Sequence, residues 1–392
     1  DDTTEKLLEH YDELSDHIKV ETKDPDLYPK FTSQYTDQTV AANSVIVVCG
    51  DKSKVVSNSD MWETSTNYQT YQTQTTGFDG EGQITSAITY VTSENNPKVY
   101  WVTGHGEASE SDLSTNFSDA INKNNVEISD LALMTDDIPE DAEELVIMSP
   151  TTDFSEDEAN KVITYLENGG KLLMFTSYTG TDMPNLDSIL ENYGVKRSSG
   201  IVVETDSQHY YPQMPYYLLP NIQSDDITTE VKSNYILMPV AQAIQKLDSY
   251  RDTITIKSLL TTTEDAYIEN DPENSTWSKS ADSETGAFDL GVSITETVDD
   301  KETQIIYFSS ASMLSSQIDQ AISGANSKLA ATALTSMCDV EQTVVIPSKS
   351  TSYTNLVFTQ GAVNTWSIIT IAGIPLVLVV IGVMIWMKRR KQ

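Results

Sequence analysis

The sequence predicts an α/β protein with two α/β units and one C-terminal transmembrane helix. Three observations lead there. From Lys98 to Val203 short apolar runs alternate with amphipathic stretches, the pattern of a parallel sheet with crossover helices. A smaller group of strands and helices precedes Pro97. Near the end, Ile368 to Met387 is free of charged side chains. At about 1.5 Å per residue this run spans roughly 30 Å, the hydrocarbon thickness of a bilayer.

The first unit, residues 1–96, opens on an amphipathic helix with Leu7, Leu8, Tyr11 and Leu14 on one face. His17 to Glu21 reads as a strand. Asp1-Asp2-Thr3-Thr4 is neither a signal nor a membrane segment, so the start reads as trimmed or processed, its first strand lost. Asp24-Pro25-Asp26 and Tyr28-Pro29 mark a turn-rich connection. Ser44–Cys49 is an apolar strand, Gly50-Asp51-Lys52 a turn, and Lys54–Val56 a second strand. The Gln/Thr/Tyr-rich tract Tyr68–Thr76 reads as loop. Gly80-Glu81-Gly82 introduces a helix, Gln83 to Val91, and Asn95-Asn96-Pro97 closes the unit.

In the second unit, 97–338, the strand Val99–Val102 breaks into Thr103-Gly104-His105-Gly106-Glu107. Leu113, Phe117, Ala120 and Ile121 form the stripe of a helix over Ser111–Lys123. Strands follow at Leu131–Leu133 and Glu144–Met148. Ser155-Glu156-Asp157-Glu158 is a capping box opening a helix with Ala159, Val162, Ile163 and Leu166 inward. Asn168-Gly169-Gly170 ends that helix, and the buried strand Lys171–Phe175 follows. A helix at Leu186–Tyr193 and a strand at Ile201–Val203 complete a Rossmann-like run. The pattern then loosens. Tyr210, Tyr211, Tyr216 and Tyr217 sit in a Pro-punctuated stretch that either packs over the sheet or offers a partner surface. Ile254–Leu260 alternates as a strand. Leu290–Thr297 and Glu302–Phe308 flank Val298-Asp299-Asp300-Lys301 as an added β-hairpin, and Ile318–Met337 reads as one helix.

A polar juxtamembrane stalk, 339–365, leads to the transmembrane helix, 366–387, and a basic tail, 388–392. Trp366 and Trp386 sit at the two ends of the apolar run, as interfacial aromatics do, and Pro375 within it is tolerated there and able to kink it. Lys388, Arg389, Arg390 and Lys391 put the tail in the cytoplasm by the positive-inside tendency, and the bulk of the chain outside it. Four of the 24 basic residues lie in that tail, leaving 20 against 59 acidic ahead of it, a net charge of −39. Such a surface excludes nucleic acid, whose phosphates need clustered Lys and Arg. It serves to keep an exported domain soluble, and no Asp-x-Asp-x-Asp-Gly calcium loop accompanies it. Cys49 and Cys338 are too few for a disulfide framework, and each reads as a small buried hydrophobe.

Several stretches carry a resemblance, in this order along the chain: "FDGEGQITSAITYVT", "KVYWVTGHGE", "FSEDEANKVITYLENGGKLLMF" and the terminal span with its basic end. The chain resembles the gliding-motility, GldG-type auxiliary subunits of bacterial ABC transporters, over nearly its whole length from Leu7. The resemblance implies a bacterial cell-membrane protein with an extracytoplasmic domain pair, the second sheet amidotransferase-like. It also implies separately encoded ATPase and permease partners, in keeping with the absence of a G-x-x-x-x-G-K-[S/T] phosphate loop here. Relatives often read Gly-Asp-Ser-Asp-Phe after the last strand, where this chain has Ser309-Ser310-Ala311-Ser312-Met313.

The residues argue against an enzyme. Neither cysteine lies at a strand-to-helix elbow, no Gly-x-Ser-x-Gly occurs, and the histidines are His10, His17, His105 and His209 only. No catalytic residue, metal or cofactor is expected. Gly104 and Gly106 are read as positive-φ positions, while His105 and Glu107 either cap the next helix, pair with each other, contact a ligand or partner, or act in catalysis. Two functions follow: a non-catalytic interaction subunit that couples or gates the transporter, or a ligand-binding module at the carboxyl edge of the sheet.

Overall fold

The computed structural model describes residues 2–390 except 26, 29, 37, 38, 68–71, 94, 95, 274, 275, 339–345, 347, 348 and 351–357. Asp26, Pro29, Tyr68–Tyr71, Asn95, most of the expected stalk and Lys391 therefore lie outside the described residues. The chain forms two compact units. One comprises Asp1–Val99, Ser118–Ser129 and Cys338–Thr354, and the other Tyr100–Phe117, Asp130–Met337 and Asn355–Gln392.

The first unit contains α1 (Asp2–Leu14), β1 (Val45–Cys49), β2 (Lys52–Val56), β3 (Trp62–Asn67), β4 (Gln72–Phe78) and α2 (Gly80–Thr92). β1 and β2 pair antiparallel, β3 and β4 form a second antiparallel ladder, and Lys349–Ser350 adds to β4. Val56, Met61, Ile84 and Ala87 make its core, with Leu7, Leu8 and Tyr11 of α1 packed on them. Leu14 departs from expectation: at the helix end it is 84% exposed. His17–Glu21 is turn and irregular chain, because two apolar residues among five do not define a buried face. Gln72–Thr76 is strand, not loop; Thr suits a pleated surface even where the tract is wholly polar. Cys49 ends a two-stranded sheet and is exposed, Cys338 is buried, and no disulfide links them.

The returning segment Ser118–Ser129 is tied to this unit by polar contacts. Lys123 pairs with Asp79 at 2.6 Å. Asn125 exchanges hydrogen bonds with Ser86, 3.0 Å each way. Lys54 donates to Asn125 Oδ1 (2.5 Å) and the Asn122 carbonyl (3.1 Å), and burial pushes its ammonium down to about 8.

β5 (Lys98–Val102), α3 (Thr115–Lys123) and β6 (Glu127–Leu131) have residues in both units, and the second unit continues with β7 (Glu144–Met148), α4 (Glu156–Glu167), β8 (Lys171–Phe175), α5 (Pro184–Asn192) and β9 (Val195–Val203). Next come β10 (Tyr210–Tyr211), β11 (Met214–Leu218), β12 (Asn221–Ile222), β13 (Met238–Pro239), β14 (Gln242–Lys246), β15 (Ile254–Thr261) and β16 (Tyr267–Glu269). The last are β17 (Asp289–Val298), β18 (Lys301–Phe308), α6 (Ser316–Ala321), α7 (Ala325–Met337) and α8 (Gln360–Arg390).

One mixed sheet organises this unit, in the order β16-β9-β14-β17-β18-β8-β7-β5-β6, with β15 on β17 and β12 on β15. β18, β8 and β7 run parallel. From β18 outward to β16 the neighbours are antiparallel. The β17–β18 hairpin is thus the seam between the halves, with Ile305 opposite Leu172 and Ile306 opposite Leu173. Valine, isoleucine and leucine from both halves, with α4 and α5, fill a single core. The continuous apolar runs of β7 and β8 suit strands covered on both faces.

Several boundaries differ from the sequence reading, and the strand read at Ile201–Val203 starts at Val195. The strand near 131 is Glu127–Leu131, and a 3-10 turn, Glu110–Asp112, precedes α3, capped reciprocally by Ser109 and Asp112. The expected helix over Ile318–Met337 is two, α6 and α7, because Ser323 (φ 58°) and Gly324 (φ 80°) break it.

At the seam, Asp299 (φ 49°) and Asp300 (φ 61°) form a two-residue turn between Val298 and Lys301. Both central residues of such a turn need φ > 0, which suits glycine best at the second place. Replacing Asp300 by Gly relieves that strain and an adjacent like charge. It should stabilise the detergent-solubilised protein by up to about 1 kcal/mol in thermal unfolding. A lower melting temperature would refute the turn assignment.

Candidate functional site

The Gly-His-Gly-Glu loop leaves the carboxyl end of β5. Thr103 N–H donates to the Leu131 carbonyl at the end of β6, and Ala108 N–H to Met148 at the end of β7, 2.9 Å each. The ends of β5, β6 and β7 therefore share one edge. From β5 the chain passes to β6 on one side and then to β7 on the other. This is the topological switch point, where open α/β sheets leave a crevice for ligands.

Here the crevice is filled from within. His105 is 5% exposed. Its Nδ1 lies 3.3 Å from Glu107 Oε1, and its Nε2 lies 3.3 Å from Glu158 Oε2. Glu107 and Glu158 have side chains only 2% and 4% exposed. The Phe154 ring packs on the imidazole at 4.4 Å. Backbone contacts close the same point: the His105 carbonyl accepts from Thr151 N–H (2.9 Å), Thr152 N–H (3.1 Å) and both threonine hydroxyls (3.2 Å each). His105 N–H in turn donates to Glu107 Oε2 at 2.6 Å.

Glycine makes this possible. Gly104 (φ 123°) and Gly106 (φ 77°) reverse the chain on either side of His105, in backbone regions other residues avoid. Any side chain on Gly106 would also strike the Thr151 hydroxyl, whereas Gly104 faces open space. The loop shows solvent the two glycines and turns its imidazole and carboxylates inward. His105 and Glu107 pair, one of the arrangements the sequence left open. Neither caps the next helical turn, which Ser109 and Asp112 cap themselves.

Glu158 was legible only as a capping residue. It does cap α4, accepting from Ser155 N–H (2.9 Å) and Oγ (2.7 Å) through the oxygen that also meets His105. Its second role depends on the strand order, which brings the start of α4 to the edge shared by β5 and β7. Burial pushes the Glu158 carboxyl up, but the Ser155 hydrogen bonds and the His105 ring together hold it below its ordinary 4.5. The 3.3 Å approach of His105 Nδ1 to Glu107 Oε1 lacks hydrogen-bond alignment. Glu107 Oε1 and Glu158 Oε1 are likewise buried without a hydrogen bond. Among the described residues no group of three His, Cys, Asp or Glu side chains is placed to hold a metal ion. What the arrangement achieves is a buried polar clasp between the β5 loop, the segment after β7 and the start of α4.

The remaining sequence-singled residues lie elsewhere in this unit. Tyr210, Tyr211, Tyr216 and Tyr217 are half-buried on a small sheet, β10-β11-β13, where Tyr216 stacks on Trp277 at 4.3 Å. Ser309 and Ser310 are buried, and Ser310 Oγ donates to the Pro239 carbonyl. α8, 31 residues, is long and apolar enough to cross a membrane, and the apolar stretch is wholly exposed. Trp366 and Trp386 are exposed on it, and Arg390, beyond Lys388 and Arg389, lies over the Trp386 ring at 5.2 Å. Just before Pro375 the helix widens to a π-turn, Ile369–Gly373, an adjustment that rehouses hydrogen bonds around a proline.

A family model described as an ABC-type uncharacterized transport system matches residues 96–336, from β5 to the last turn of α7. The chain belongs to this ABC transporter auxiliary family. It has an accessory role in an ABC transport system and associates with other components of that system. No curated protein matches it. Among solved structures it is similar to the mmIFT52 N-terminal domain, at 15% identity and TM-score 0.45, covering 61% of this chain and 96% of that one. It is also similar to a putative ThuA-like protein from Parabacteroides merdae, at 13% identity and TM-score 0.36, covering 68% and 99%. A third is the exo-β-1,4-mannosidase Op5Man5 from Opitutaceae bacterium strain TAV5, at 10% identity and TM-score 0.32, covering 68% of this chain and 38% of that one.

For this auxiliary protein the clasp makes two predictions. Replacing His105 by Ala removes the ring that lies between the buried Glu107 and Glu158 carboxyls and should cost about 1–3 kcal/mol in unfolding. Adding Glu107→Gln and Glu158→Gln to that variant should restore part of the loss; no restoration would mean that packing, not charge, is at stake. The second concerns pH. A carboxyl whose folded value is depressed contributes stability above its unfolded value and loses it as pH falls through the folded one. The advantage of the native protein over Glu158→Gln should therefore hold above pH 4.5 and shrink below it, measured by thermal unfolding across that range.

Proposed function

We propose that this chain is a non-catalytic, membrane-anchored auxiliary subunit, with its two α/β units outside the cytoplasm of a bacterial cell. It couples or gates a separately encoded ABC ATPase and permease through protein contacts. The closed switch-point crevice carries the non-catalytic reading. The place where such a sheet would receive a substrate is occupied by the chain's own imidazole, carboxylates and phenyl ring. The wholly exposed apolar helix α8 supports anchoring, since so much apolar surface needs a lipid or protein cover. The basic run at its end supports a cytoplasmic C-terminus. With −39 charges ahead of the span, the bulk of the chain is suited to a contact surface in solution rather than to lying flat on anionic lipid.

The test is copurification. Full-length chain expressed with its cognate permease and ATPase should be retained on a tagged permease after detergent extraction. A chain ending before Gln360 should be retained far less. A full-length chain that never copurifies, yet shows a thermal shift with a sugar, peptide or lipid, would replace this reading with a ligand-binding module.

A further inference from the structure

The membrane helix does not hang free from the second unit. The tip of the β10–β11 hairpin and the turn before it grip its first turn. Gln213 N–H donates to Gln360 Oε1 at 2.8 Å. Gly361 N–H donates to the Ser207 carbonyl at 2.6 Å, and the Thr359 hydroxyl to Gln208 Oε1 at 3.0 Å. Any side chain at Gly361 would collide with Gln208, so the approach is close.

This grip puts an unusual surface beside the span. From Ser207 to Ser224 there is no Asp, Glu, Lys or Arg, although at the chain's 21% charged composition about four would be expected in those 18 residues. In their place stand Tyr210, Tyr211, Tyr216 and Tyr217, all half-buried, with Met214 37% exposed and Trp277 stacked on Tyr216. Gln360 precedes Ile368 by eight residues, about 12 Å along the helix. The polar layer of a bilayer occupies roughly 5–8 Å beyond the hydrocarbon edge. For a helix along the bilayer normal, the level of Gln360 lies about 4–7 Å beyond that layer, about one tyrosine's length. Tyrosine and tryptophan, apolar in body and polar at one end, favour this zone. The acidic remainder of the chain does not.

We propose that the β10–β11 hairpin, with Met214 at its exposed tip and Trp277 behind it, inserts into the interfacial layer of the bilayer that α8 crosses. The occupant of this face is the lipid headgroup region, and the proposal rests on α8 being a membrane anchor. The hairpin and helix then form one rigid footing that fixes the second unit at the membrane surface.

The experiment uses the full chain with Cys49→Ala and Cys338→Ala, carrying a nitroxide at Met214→Cys, at Lys279→Cys near Trp277, or at the distant exposed Val298→Cys. Each is reconstituted alone into phosphatidylcholine vesicles, and alkaline extraction checks that it remains inserted. In vesicles, accessibility to a water-soluble nickel complex should be severalfold lower at 214 than at 298, with 279 between them. The label at 279 serves alone if Met214→Cys does not fold. Labels at 214 and 279 that stay as accessible as 298 in inserted protein overturn the proposal. Protection that arises only when the permease is co-reconstituted overturns it too, in favour of a protein partner. Release of the chain by alkaline extraction would instead overturn the anchor reading beneath it.

Discussion

A buried imidazole held between two carboxylates is the constraint on which the second unit turns. His105 joins the end of β5 to the start of α4, and its carbonyl gathers the segment that follows β7. Three buried ionisable groups are costly to desolvate, and such a cluster persists only while each group keeps its partners. The loop, the strand edge and the helix start must therefore move together or not at all. A crevice that in other open α/β sheets admits a ligand is here a fastened joint.

The proposed non-catalytic role calls for such a joint. A subunit that transmits contact needs a stiff body. The seam of the sheet supplies the rest of that stiffness: β18 is parallel to β8 on one side and antiparallel to β17 on the other, which merges two half-sheets over one core. α8 begins where the uncharged aromatic hairpin grips it. If both features act as proposed, force at the membrane is passed to a rigid domain rather than lost in a linker.

Much of this was legible in the chain. The apolar run Ile368–Met387 with its tryptophans and basic end reads directly, because length and charge alone govern what can cross a bilayer. The strand–helix alternation, the Ser155–Glu158 cap and the Asp299-Asp300 hairpin are equally local, each depending on neighbours within a few residues. Other features were hidden because they depend on partners far along the chain. The polar strand Gln72–Phe78 has no apolar face to betray it and exists through its ladder with β3. Cys49 lies exposed because β1 has only β2 beside it.

The Gly-His-Gly-Glu loop shows where the division falls. Two glycines around a histidine at a strand end already require a reversed backbone, since positive φ is a property of the residue itself. Whether His105 faces solvent, a ligand or the interior is not a local property. Glu158, 53 residues on, had to arrive beside it, and that depends on β7 lying next to β5 and on α4 starting at the same edge. Spacing along the chain carries no trace of that meeting. Only the packed sheet turns a capping residue and a loop histidine into one buried clasp.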